Sequence, residues 1–264
     1  HYELCFNLHK QRALIEYLNG NFELSRDLTY LTLEKSKTAL EKADVYNLLL
    51  IQNTLSAKYD DAVVAGRKAL ALLGVELPAE NFAEAIGVQF GQAKENLGDR
   101  AIPSLIDAPD LNEPEKQIAL QLFNNLLPSA YFIDPQLWTL CILQPANLSL
   151  KYGHTAESAA FYANYGILLA AVFGDYRAAY EFGQVALQLS EKWNNLELKC
   201  KVSVVLGNAL NYWFEPLARS EIINNEGYQA GLNAGDLQYA GYILMYKALN
   251  SFFQGKLLSE VVTE

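Results

Sequence analysis

Gly174-Asp175-Tyr176-Arg177-Ala178-Ala179 is the stretch that decides the fold class. A tight turn is followed by an aromatic residue, and a small residue stands three positions after it. Two other segments share the arrangement: Gly20-Asn21-Phe22-Glu23-Leu24-Ser25 and Lys58-Tyr59-Asp60-Asp61-Ala62. Seven positions further on, small residues return as Thr32, Ala69 and Ala186. The aromatic residue is expected to pack into the junction of a helix pair. The small residues are expected to let the second helix of one pair press closely on the next.

Working outward, apolar residues recur at three and four positions, as in Val202, Val205, Leu206 and Leu210, and no stretch alternates with a period of two. Gly, Asn, Asp and Pro punctuate the chain at intervals of about one helix length. Phe22 and Tyr59 are 37 positions apart, Gly174 and Pro216 are 42 apart, and Pro216 and Gly255 are 39 apart. This is the logic of a tetratricopeptide repeat, lengthened from its usual ~34 residues. The expected fold is all-α: a tetratricopeptide-like α-α superhelix, a right-handed solenoid of antiparallel helix pairs. Helices are expected at 2–18, 22–37, 40–57, 60–74, 79–97, 113–132, 135–152, 155–173, 175–193, 196–214, 217–233, 236–254 and from 257 onward. The expected organisation is one continuous solenoid with N-terminal repeats at 1–97, an irregular loop at 98–112 and C-terminal repeats at 113–264.

The chain has 264 residues, is 51% hydrophobic and 19% charged, and carries a net charge of −10. That much apolar surface argues against disorder, and an acidic surface argues against nucleic acid as a partner. The longest apolar runs, such as 167–173, are too short to span a membrane. Cys5, Cys141 and Cys200 are widely spaced, and are expected to be buried free thiols in a reducing, cytoplasmic setting. The chain begins with His1 inside an expected helix and stops soon after another begins, as a segment of a longer polypeptide would.

Several blocks carry a family resemblance: Glu16-Tyr17-Leu18-Asn19-Gly20-Asn21-Phe22, Asn124-Asn125-Leu126-Leu127-Pro128, Asn147-Leu148-Ser149-Leu150-Lys151-Tyr152-Gly153, Tyr180-Glu181-Phe182-Gly183 and Gly235-Asp236-Leu237-Gln238-Tyr239-Ala240. In order, they resemble the helical-repeat region of very large bacterial signalling proteins, common in cyanobacteria. Those proteins join a Ser/Thr kinase-like domain and a STAND-type AAA ATPase module to this region, followed by GAF and sensor histidine kinase domains. The resemblance implies a signalling setting and no chemistry for this segment, because the kinase and ATPase motifs belong elsewhere in such proteins.

The residues agree. There is no GxxxxGK[ST] phosphate cradle, no HRD or DFG, and no HExxH. His1, His9 and His154 are scattered; His9 reads as a half-buried packing residue and His154 as a turn residue. Asp60-Asp61, Asp175 and Asp236 sit at helix starts, where carboxylates suit the helix dipole. The chain is therefore expected to be no enzyme and to need no metal or cofactor. Its expected role is non-catalytic protein–protein interaction and signal relay, with a protein or peptide partner that includes flanking domains of the same polypeptide. The alternatives are a structural spacer or dimerisation solenoid, and a small-molecule sensor; the oligomeric state stays open. Tyr162, Tyr165, Asn208, Asn211, Tyr212, Tyr239, Tyr242 and Tyr246 are the expected partner-binding set on the concave face, where rings stack and amides bond a peptide backbone. The same rings could instead fill the core between repeats.

Overall fold

The computed structural model describes residues 1–262. Among them are thirteen α-helices: α1 Tyr2–Leu18, α2 Phe22–Lys35, α3 Ala39–Leu55, α4 Tyr59–Leu72, α5 Phe82–Leu97, α6 Pro114–Ile133, α7 Pro135–Tyr152, α8 Ser158–Leu168, α9 Tyr176–Lys192, α10 Leu196–Val205, α11 Leu217–Ala234, α12 Leu237–Phe253 and α13 Leu258–Val261. The protein is all-α, with no strand among the described residues. Four helix starts, those of α3, α9, α10 and α12, are fixed by side-chain caps. Asp175, Asn195 and Asp236 each accept a hydrogen bond from the backbone amide three residues on. Thr38 and Glu41 form a reciprocal capping box at α3. Each such cap is worth about 1 kcal/mol. Gly174 and Gly235 end their helices in the left-handed conformation that a residue with a Cβ resists.

The chain forms two compact units. One comprises residues 1–91 and 111–145, the other residues 92–110 and the chain from Ala146 onward. This division differs from a boundary at 98–112, since α5 and α7 each contribute residues to both units.

In the first unit, α1 pairs with α2, α3 pairs with α4, and α6 packs on α3 and α4. The small residues of the repeated motif are buried: Ser25, Thr32, Ala62 and Ala69. Ser25 is also a polar hub. Its hydroxyl donates to the Ala13 carbonyl and accepts from the Gln52 amide at 2.8 Å, which ties α1, α2 and α3 together. Asn125 donates to Asn47, and Thr54 bonds Ser129, fixing α6 to α3.

In the second unit, α8 pairs with α9, α10 with α11, and α11 with α12. Ala179 and Ala186 are buried as the motif requires. Glycine brings backbones together here: a Cβ on Gly166 of α8 would stand 2.7 Å from the Ala179 carbonyl oxygen of α9. The segment after α5 is not a plain loop. Ile102–Asp107 form a 3-10 helix that packs on α9 and buries Leu105. The same segment is pinned at Pro109, whose carbonyl accepts from the His154 amide at 2.9 Å. Gly153, at φ +105°, makes room, since a Cβ there would lie 2.2 Å from that carbonyl oxygen.

The cysteines correct one expectation. Cys141 and Cys200 are buried, whereas Cys5 is exposed on α1, and His9, on the same exposed face, is not half-buried. Burial pushes the Cys141 thiol well up and the Cys200 thiol up to about 11, so both stay protonated and unreactive.

Candidate functional site

The expected partner-binding residues divide sharply. Tyr162 and Tyr165 on α8 are enclosed, Tyr162 with no exposed surface. The Phe182 ring of α9 meets both edge-on, at 5.4 and 5.0 Å. The Tyr162 hydroxyl lies 2.9 Å from Nε2 of buried His154. Burial pushes the Tyr162 hydroxyl far up and the Tyr165 hydroxyl up to about 12. Asn211 is also buried and donates to the Ser220 hydroxyl, holding the α10–α11 connection. These three residues are core and offer nothing to a partner, because α8 and the end of α10 are covered by their neighbours.

Asn208 is half-buried and occupied internally. It exchanges two amide hydrogen bonds with Asn224 of α11 at 2.9 Å and accepts a third from Asn250 of α12. The four remaining residues reach solvent. Tyr239 and Tyr246 are half-buried, while Tyr242 and Tyr212 are exposed. Tyr239 and Tyr242 meet edge-on at 5.5 Å, and burial followed by the Asp236 carboxylate pushes Tyr239 up to about 12.

An open aromatic surface of the second unit lies around Tyr212, at the turns after α8 and α10. Helix α8 continues into a wider π-turn, Leu169–Phe173, which ends at Gly174. Helix α10 continues into a second π-turn, Leu206–Leu210, and then a short 3-10 turn, Asn211–Trp213. A π-turn inserts one residue and so rotates the remainder of the helix by about 100°. Val172, Phe173, Tyr212, Trp213 and Phe214 are all exposed. Trp213 and Phe214 stack on the preceding helix, α9. Tyr176 stacks on Trp213 with centroids 4.1 Å apart, and Tyr180 stacks on Phe214 at 5.3 Å. Tyr212 leans on Trp213 at 5.2 Å. The result is a row of two stacked groups, Tyr212–Trp213–Tyr176 and Phe214–Tyr180, with all but Tyr180 exposed.

The first unit has its own version. Tyr59 stacks on Phe132 at 4.8 Å, and exposed Tyr131 meets Trp138 edge-on. The aromatic residues of the repeated motif pack at helix junctions, Phe22 edge-on against Tyr17 at the α1–α2 turn, Tyr59 on Phe132 and Tyr176 on Trp213, with Phe22 and Tyr176 still exposed. The signal for this row was present as an apolar doublet that recurs from residue 131 onward: Tyr131-Phe132, Val172-Phe173, Trp213-Phe214 and Phe252-Phe253. Counted from the second residue of each doublet, Phe132 to Phe173 is 41 positions, Phe173 to Phe214 is 41, and Phe214 to Phe253 is 39. Spacings of three and four within helices look past a doublet that recurs about every 40 residues.

No cluster of three or more His, Cys, Asp or Glu that could hold a metal occurs among the described residues. No helix among them is long and apolar enough to cross a membrane.

No family model matches the chain, and no solved structure matches it. It is similar to the hybrid signal transduction histidine kinase G of Dictyostelium discoideum, with 21% identity over an alignment of 279 positions. The similarity covers 98% of the chain and 8% of that kinase, so the chain spans a small part of the relative's length. This similarity and the all-helical structure are compatible with a helical region of a signalling protein.

Proposed function

We propose that this chain is a non-catalytic interaction and relay region of a larger signalling protein, built as a tetratricopeptide-like solenoid of lengthened helix pairs. The observation that carries the reading is the aromatic row of the second unit, Tyr176, Tyr180, Tyr212, Trp213 and Phe214. A spacer that binds nothing gains from a polar surface, since exposed contiguous aromatics invite aggregation. Aromatic residues with few rotatable bonds are the residues that dominate binding energy at protein interfaces. The 40-residue recurrence of apolar doublets supports a repeat architecture, and the similarity to a histidine kinase supports a signalling context. The partner in this reading is a protein or peptide, including domains of the same polypeptide, in the cytoplasm.

A photo-crosslinking amino acid placed at position 213, inside the full-length protein in its host, tests the reading. The expected result is one discrete crosslinked product at 213 and 176. It is absent when the probe stands at exposed Leu232, at the far end of α11. Equal labelling at both ends of the helices, or none, contradicts it.

A further inference from the structure

We propose a second binding site in the first unit: the groove between α2, α3 and α4 takes an acidic amphipathic peptide of a partner protein. The groove has a volume of about 700 Å³. Each helix gives it one stripe. Tyr30, Leu33 and Glu34 lie at three and four spacing on α2, Lys42 and Tyr46 at four spacing on α3, and Lys68 and Leu72 at four spacing on α4. The floor is therefore apolar, with two phenol hydroxyls and two ammonium groups rising from it.

Charge selects the occupant. The chain carries −10 overall, yet this groove holds two lysines against one carboxylate. Two neighbouring lysines are paired, Lys10 with Asp44 and Lys35 with Glu34. Lys42 and Lys68 have no carboxylate within ion-pair distance among the described residues, so their charge faces the groove uncompensated. Glu34 is exposed and lies 3.5 Å from Lys35, which offsets its field at the rim. A ligand with apolar side chains flanked by carboxylates satisfies both halves of the lining, and a basic one is repelled. Three helix faces, with more than half of the Tyr30 side chain open to solvent, make a trough suited to a peptide rather than a sealed cavity suited to a small molecule.

The test uses a dye-labelled helical peptide about four turns long, with a leucine stripe bordered by Glu, and a counterpart in which every Glu is Gln. Fluorescence anisotropy with the intact chain is expected to show the Glu peptide binding about tenfold more tightly, the effect of two partly screened charge pairs. The preference is expected to shrink as salt rises and to vanish in a Lys42→Gln/Lys68→Gln double variant. Both lysines lie outside the core, so far-UV circular dichroism of that variant should be unchanged. The preference should persist in Trp213→Ala, which separates this site from the aromatic row. Equal binding of the two peptides, binding of neither, or a preference that survives the double variant overturns the proposal.

Discussion

Helices α8 and α12 carry tyrosines at the same spacing and use them in opposite ways. On α8, Tyr162 and Tyr165 are sealed between α9 and α10, with Phe182 against both rings. On α12, Ala240, Ile243 and Ser251 take the buried positions, while Tyr239, Tyr242 and Tyr246 stand at the margin or outside. The difference comes from the neighbours. Gly166 and Ala179 let α8 and α9 approach until their backbones nearly touch, so large rings on adjacent faces are enclosed. Helix α12 rests on α11 and α10 and leaves Tyr242, Met245 and Leu249 open. A spacing of three and four marks a face of a helix; the residues on the facing helix decide whether that face is core.

The largest expected effect that breaks the contrast is Tyr162→Ala. Emptying a fully buried ring position should destabilise the second unit by about 3–5 kcal/mol, read by urea unfolding. A loss below about 1 kcal/mol, typical of surface substitutions, would mean that α8 is not core.

Acid should act on the same region. His154 beside Tyr162 is buried and lies near Lys192 and Arg100, with Asp110 opposing them, and its pKa falls from 6.5 to about 4. Above pH 6.5 neither the folded nor the unfolded chain protonates this ring. Between 6.5 and about 4 the unfolded chain takes up a proton that the folded chain excludes. Stability is therefore lost as pH falls through that window, by about 3 kcal/mol at its foot. Comparing the pH dependence of unfolding with that of His154→Gln isolates this contribution; identical curves would exclude it.

Next in size is Asn208→Ala. It removes the shared partner of Asn224 and Asn250, so the clip between α10, α11 and α12 opens at a cost of about 1–3 kcal/mol. Thermal unfolding measures it, and the double variant with Asn224→Ala should cost less than the sum of the single changes. The smallest effect is Tyr242→Ala, which should change stability by no more than about 0.5 kcal/mol. A larger loss would place α12 with α8.

The contrast also shows what was readable from residues alone. Helix positions were legible because Asp175, Asn195 and Asp236 cap helices by side-chain chemistry that acts within a few residues. The buried small residues Ser25, Ala69 and Ala186 were legible because their spacing repeats. The order at 102–107 was not, because Leu105 is held by α9, far along the chain. Nor were the two π-turns, which add a residue to a helix without any residue type that demands it. Val172-Phe173 and Tyr212-Trp213 are exposed beside these turns, so the candidate surface lies at the turns rather than on the helix faces. Tyr162, Tyr165 and Asn211 left that surface for the core, while Tyr212 remains part of it.

The most direct test of the aromatic row as a binding surface is the affinity of the partner captured at position 213. It is measured for the wild-type protein and for Trp213→Ala/Phe214→Ala, with Leu232→Ala as the control. The double variant, folded by circular dichroism, is expected to bind at least about 30-fold more weakly, and the control to bind like the wild type. Undiminished binding by the double variant would contradict the role assigned to the row.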